Sequence, residues 1–160
     1  MPEIQYMETD QQGLDLIKPL WQQLIEHHKA RSLIFYDDYA KMTFATRKKQ
    51  LLEKSRGNII RIDLARDVNL GEFVGYCIST ISEERQGEID SIYIKPDYRS
   101  FGIADNLMKR TLHWMDEQLI TKRILVVGAG NEEVLGFYSK YGFHPRYIFL
   151  EQVQTKKVKE

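Results

Sequence analysis

Two groups of residues have the types and spacing to do chemistry. The first is Arg99-Ser-Phe-Gly-Ile-Ala104, which joins an apolar β-rich run (Ile89, Ile92, Tyr93, Ile94) to a helical one. Pro96 ends the first run by removing a ladder donor. Ile103, Leu107, Met108, Thr111, Leu112, Met115 and Leu119 then recur on one face at the 3.6-residue period. A helix start leaves several N–H groups without intrahelical partners, at the positive end of its dipole. Such a loop suits a phosphate or pyrophosphate. Gly102 lets backbone come close to a bulky anion, Ala104 shields it little, and Arg99 adds a guanidinium. The second group is Glu88 and Asp90, which alternate with Ile89 and so face one side of the strand. Paired carboxylates there can take a proton or bind a cation.

Other chemistry is poorly supplied. A Gly-x-Gly-x-x-Gly dinucleotide fingerprint and a Walker-type Gly-Lys-Ser/Thr are both absent. The histidines, a His27-His28 pair and the isolated His113 and His144, lack metal-ligand spacing, and no metal is expected. His27 and His28 sit at a helix junction where they could touch a substrate. The single cysteine, Cys77, lies inside an apolar strand pattern with no activating histidine in view.

The elements that position these residues follow in order. Glu3–Met7 is an opening strand, and Thr9 or Asp10 caps a helix whose face is Leu14, Ile17, Trp21, Leu24 and His28, with Pro19 starting or kinking it. A second helix is expected over Asp37–Lys54, where Tyr36, Tyr39, Met42 and Phe44 belong either to the core or to a pocket wall. Three strands follow on short turns: Ile60–Leu64, Phe73–Ile81 (with Gly75 at a bulge or close approach), and the strand of Glu88 and Asp90. After the long helix come a buried strand Arg123–Val127, a short helix Glu132–Lys140 capped by Asn131, a last strand Phe143–Gln152 and a frayed tail Thr155–Glu160.

Arg99-Ser-Phe-Gly-Ile-Ala104 resembles the Arg/Gln-x-x-Gly-x-Gly/Ala loop of the GNAT superfamily of acyl-CoA N-acyltransferases, and Asn131 and Phe137-Tyr-Ser-Lys-Tyr-Gly-Phe143 match its flanks. By motif the resemblance spans about Gly71 to Phe143. It implies a single-domain α/β fold with a mixed, mostly antiparallel sheet flanked by helices, in the order β-α-α-β-β-β-α-β-α-β. It implies one N-acetyltransferase-like domain over residues 1–160, with a cofactor-binding core at about 71–143. Acetyl-CoA becomes the expected co-substrate, its pyrophosphate on Arg99, Ser100, Phe101, Gly102, Ile103 and Ala104. Its pantetheine arm would lie along main-chain groups of Ile92, Tyr93 and Ile94, with Asn131 in contact. Ile92 and Val126 side chains are then expected in the core.

Acyl transfer from a thioester to an amine needs a polarised carbonyl, a proton taken from the amine and one given to the leaving thiolate. By the resemblance, Glu88 stands where some members carry a general base, with Asp90 or water as alternatives. Tyr138 stands where many carry the general acid that also contacts the coenzyme sulfur.

Composition bounds the rest. A chain of 160 residues, 42% hydrophobic and 29% charged, fits one globular domain. Lys+Arg and Asp+Glu balance at 23 each, which argues neither for nucleic acid nor for an anionic membrane. One cysteine, no signal-like start and no apolar run of spanning length point to the cytoplasm. The expected function is acetyl transfer to a primary amine, a small molecule by preference with a protein amine as the other acceptor, by direct attack in a ternary complex. A non-catalytic acyl-CoA sensor is the alternative, and a homodimer is expected.

Overall fold

The computed structural model describes residues 1–154. Strands β1 (Ile4–Thr9), β2 (Ile59–Asp67), β3 (Glu72–Ile81), β4 (Gln86–Ile94) and β5 (Lys122–Leu125) form one sheet in chain order. The first four pair antiparallel, β2, β3 and β4 through short turns and β1 with β2 across the intervening helices; β5 runs parallel to β4, which requires a crossover. Helix α4 (Ile103–Glu117) is that crossover.

Alternation along β2 divides the core. Ile60, Ile62 and Leu64 pack with Leu14, Ile17, Leu20, Trp21, Phe44 and Leu51, the side of helices α1 (Lys18–Arg31) and α3 (Phe44–Ser55). Ala65, with Val74 and Cys77 of β3, packs on the opposite side against Ile103, Leu107, Met108 and Met115 of α4. From Val74 to Ile81 every residue of β3 is buried, as a central strand between two helical layers must be. At Gly75 a Cβ would stand 2.7 Å from Ile94 Cδ1 and 3.3 Å from the Tyr93 carbonyl oxygen, so the expected close approach is real.

Two features position the site. The β3–β4 register shifts between Ile78 and Ser79, opposite Asp90, and the shift leaves Asp90 without a direct partner. This bulge keeps Glu88 and Asp90 on the α3 side while Ile89, Ile92 and Ile94 join the α4-side core. The second feature is that β4 and β5 pair only from Gln86–Ile89 to Lys122–Leu125. Beyond these residues the parallel strands separate and leave a cleft.

Several expectations fail for identifiable reasons. The helix over Asp37–Lys54 is two helices, α2 (Tyr36–Lys41) and α3, because extended Thr43 caps a new start by accepting the Thr46 N–H at 3.2 Å. Leu119, at φ +59 and 81% exposed, lies past the end of α4; Trp114 takes a place on the buried face instead. The short helix is a 3-10 turn Glu132–Val134 leading into α5 (Leu135–Ser139), and Asn131 makes no side-chain cap. No strand forms over Phe143–Gln152, where Tyr147, Ile148, Phe149 and Leu150 are at least 80% exposed. The segment stays off the free edge of β5, which is only four residues long, and Pro145 supplies no donor. Thr155–Glu160 lies outside the described residues.

Candidate active site

The separation of β4 and β5 opens a cavity of about 380 Å³. One wall is the two strands, Ile89–Ile92 and Leu125–Gly128, with Asn131, Val134 and Tyr138 beyond them. The other wall is helical: Trp21, Leu24, Ile25 and His28 from α1, Tyr39 from α2, and Met42 and Arg47. Val126, expected in the core, is 85% exposed and lines this cavity, because β5 has ended before it. Of the candidates for the acceptor wall, Tyr39 and Met42 line the cavity. Phe44 is core beneath Trp21 at 5.5 Å, and Tyr36 is exposed.

On the cleft side, β4 offers main-chain groups. Lys95 N–H bonds the Val74 carbonyl of β3 at 2.9 Å, which turns the Ile94 C=O the other way. Strand alternation then turns the N–H and C=O of Ile92 and the N–H of Ile94 toward the cleft, and those of Tyr93 toward β3. The Tyr93 ring is buried on the α1 side, its hydroxyl 3.3 Å from Gln23 Oε1. A peptide-like chain can add to the open groups of Ile92 and Ile94.

Past β4 the loop forms the expected helix start. Gly102 adopts φ +71, and the first intrahelical bond is Asn106 N–H to Gly102 C=O at 3.0 Å. The N–H groups of Ile103, Ala104 and Asp105 therefore precede the ladder, and no side chain caps the helix. A Cβ on Gly102 would meet nothing within 4 Å, so the space before these donors is open. Uncapped N–H groups at a helix start are the kind of donors that phosphate-type anions take. Ser100 is an exposed turn residue, Phe101 packs edge-on to Tyr98, and Ile103 is core. Arg99 is partly committed: its Nε donates to the Ile94 carbonyl at 3.0 Å and its guanidinium lies 5.5 Å from the Tyr93 ring centroid.

Glu88 and Asp90 meet at a residue that sequence reasoning missed. Lys54, in the last turn of α3, donates to Glu88 Oε2 at 2.9 Å and to Asp90 Oδ1, while Thr80 donates to Asp90 Oδ2 at 2.8 Å. Burial pushes the Asp90 carboxyl above its ordinary pKa, against the opposing pull of Lys54. Burial alone would lower Lys54, but its bonds to both carboxylates outweigh this and raise it. Asp90, its side chain 4% exposed, has both oxygens engaged; Glu88, at 25%, keeps Oε1 free of any partner among the described residues. Asp90 lines the cavity; Glu88, two residues earlier on β4, is not among the lining residues. Nothing in the spacing of Lys54 marked it, because the contact crosses 34 residues of chain.

Tyr138 enters the cavity from α5, between Phe137 at 5.3 Å and Phe143 at 6.5 Å. Burial pushes its phenol up to about 12, so the hydroxyl stays protonated, and no described residue bonds it. Asn131 Oδ1 lies 3.5 Å from His27 Nε2, which replaces the expected cap with a tie between the β5–α5 loop and α1. His28 stacks on Tyr39 at 5.4 Å; burial, then its neighbour His27, lowers its pKa, so a neutral imidazole faces the cavity. Cys77 is fully buried, 3.5 Å from Thr111 Oγ1, with its thiol pushed up to about 12 by burial, and is no nucleophile. Among the described residues no three His, Cys, Asp or Glu side chains group to hold a metal, and no helix is long and apolar enough to cross a membrane.

Comparison with known proteins follows the same lines. Solved structures that share the fold include a ribosomal-protein-alanine N-acetyltransferase from Brucella melitensis (19% identity, TM-score 0.64, covering 96% of this chain and 100% of that one). An aminoglycoside N-acetyltransferase in complex with CoA superposes at TM-score 0.68 with 14% identity, over 95% of this chain and 96% of that one. A GNAT-family acetyltransferase from Staphylococcus aureus gives TM-score 0.65 with 18% identity, over 89% of this chain and 85% of that one. Curated protein sequences give no significant match. The family model for the GNAT acetyltransferases matches residues 21–143, from the helical cavity wall at Trp21 through Tyr138. The chain belongs to the GNAT acetyltransferase family and is an acyl-CoA-dependent acetyltransferase.

Proposed function

We propose that this protein moves an acetyl group from acetyl-CoA to a primary amine, by direct attack in a ternary complex. The carrying observation is the cavity itself. It lies between the separated strands, which suit a thioester arm, and the α1–α2 wall, which suits the amine. Acetyl-CoA would hold to the N–H groups of Ile103–Asp105 and to the open edge of β4, with Asn131 and Tyr138 alongside. The amine nitrogen forms its bond to the acyl carbon as the carbon–sulfur bond breaks. Its proton passes through a water to the free Oε1 of Glu88, and Tyr138 gives a proton to the departing sulfur. Glu88 is preferred to Asp90 because both Asp90 oxygens are already engaged.

The acceptor is a small-molecule amine in this reading. A cavity of about 380 Å³ matches small-ligand sites of about 300–1,000 Å³. Among structural relatives, one is named for aminoglycosides and another for ribosomal-protein alanine, so both acceptor classes belong in the test. The protein works in the cytoplasm, a reading that the buried, unpaired Cys77 supports.

The test is an amine-library screen with acetyl-CoA that follows free thiol release and includes peptides with free N-termini. On the best amine, Glu88→Gln should cut the rate at neutral pH by about 10²–10⁴-fold, as loss of a positioned base does. The deficit should shrink as pH rises toward the pKa of the amine. No turnover with any amine would favour an acyl-CoA sensor instead.

A further inference from the structure

The proposed chemistry asks one carboxylate to accept a proton beside a second carboxylate on the same face of β4. Two such groups in a partly buried place cannot both stay ionised at low cost. The structure meets this with a single ammonium. Lys54 Nζ stands 2.9 Å from Glu88 Oε2 and also bonds Asp90 Oδ1, and Thr80 takes Asp90 Oδ2. Each contact removes one orientation: Asp90 is held at both oxygens, and Glu88 at one. The unheld oxygen, Glu88 Oε1, belongs to the more exposed carboxylate.

We propose that Lys54 is a positioning residue for proton transfer: it clamps Glu88 and Asp90 so that Glu88 Oε1 alone is presented, ionised, to the water that takes the amine proton. This inference rests on the acetyltransfer reading above. Lys54 reaches the pair from the C-terminal turn of α3, outside the coenzyme loop, and does not itself line the cavity. The other titratable or charged groups that line the same cavity as Asp90 are Arg47 from the same helix, His28 from α1, Tyr39 from α2 and Tyr138 from α5. Tyr76 of β3 is also near, but its hydroxyl is taken by Ser91 at 2.8 Å. Of these, Lys54 is the group that bonds both carboxylates.

Removing the ammonium has a definite consequence. Without it, the two carboxylates on one face of β4 lose the counter-charge that lies between them, and each disfavours ionisation of the other. The experiment is the pH profile of kcat/KM with the best amine, for the wild type and for Lys54→Met, Lys54→Arg and Lys54→Met/Asp90→Asn. For Lys54→Met the acid limb should move up by about one to three pH units, the span by which a close opposite charge lowers a carboxyl. Lys54→Arg keeps the charge and should hold the limb near its wild-type place. In Lys54→Met/Asp90→Asn the like charge is gone, so the limb should return toward wild type, which a fold defect would not produce. Where Lys54→Met does not fold, Lys54→Gln carries the same expectation. An acid limb that stays in place in the neutral variant overturns the clamp. Glu88→Gln keeps the two failures apart. If it loses rate while the Lys54 variants keep the wild-type profile, the clamp alone is wrong; if it loses nothing, the base assignment and the clamp fall together.

Discussion

Substitution at Gly102 separates the coenzyme loop from the fold. Gly102 lies in the left-handed region, and a Cβ there has open space around it. A methyl group therefore costs only backbone strain, about 1–2 kcal/mol. For a chain of 160 residues, at about 2–4 °C per kcal/mol, Gly102→Ala should melt about 2–8 °C lower. Ligand stabilisation is a separate quantity. At a free acetyl-CoA concentration of 100 times Kd the native state gains about 2.7 kcal/mol, a rise of about 5–11 °C on the same scale. Gly102→Glu puts a carboxylate in the opening before the N–H groups of Ile103–Asp105. If it weakens binding 100-fold, the same concentration yields about 0.4 kcal/mol, a rise of only about 1–2 °C. The assay is scanning fluorimetry of the wild type and both variants with and without acetyl-CoA. Because the increments are compared, strain in the free protein cancels. A wild-type increment in Gly102→Glu would refute the assignment of this helix start to the coenzyme phosphates.

Three further outcomes are expected. Tyr138→Phe should lower kcat with little change in the acetyl-CoA increment, and without moving the basic limb below pH 10, because the phenol titrates only at about 12; a matched loss of coenzyme affinity would make Tyr138 a binding residue instead. The Tyr98 hydroxyl donates to Asp67 at 2.7 Å and, with backbone N–H groups of Leu70 and Asn69, holds that carboxyl below its ordinary pKa. A depressed folded value gives stability that is present above the unfolded pKa of about 4 and lost as pH falls through the folded one. Tyr98→Phe should therefore be least stable relative to wild type near neutrality, with the gap closing in urea melts as pH falls below the ordinary carboxylate range; a gap independent of pH would contradict this. Finally, β5 is an open sheet edge, and Tyr147–Leu150 is an exposed apolar run on the same chain, so a homodimer is expected. Light scattering that returns the 18.9 kDa of one chain at micromolar concentration would count against it.

What the sequence determined by itself was mostly local. The period-2 and 3.6 patterns, Pro96 and the turns located β2, β3, β4 and α4, because side-chain direction and backbone restriction act within a few residues. The uncapped helix start at Gly102 was legible for the same reason, since free N–H groups follow from where the helix begins. Glu88 and Asp90 were placed correctly on one side of their strand, although the bulge at Asp90 could not be seen.

Only the tertiary structure decided what those carboxylates meet. Lys54 looked like one more solvated helix lysine, yet the packing of α3 on the sheet brings it onto both and leaves a single oxygen, Glu88 Oε1, unheld. Packing also turned Val126 from a core residue into cavity lining, since a strand is buried only as far as its neighbour accompanies it. Phe143–Gln152 carries the composition of a strand and remains unpaired, because a sheet is made between segments and composition supplies only one of the two. The cavity belongs to this same class: it exists because β4 and β5 part after Ile89 and Leu125, which is a relation between strands that neither strand encodes alone.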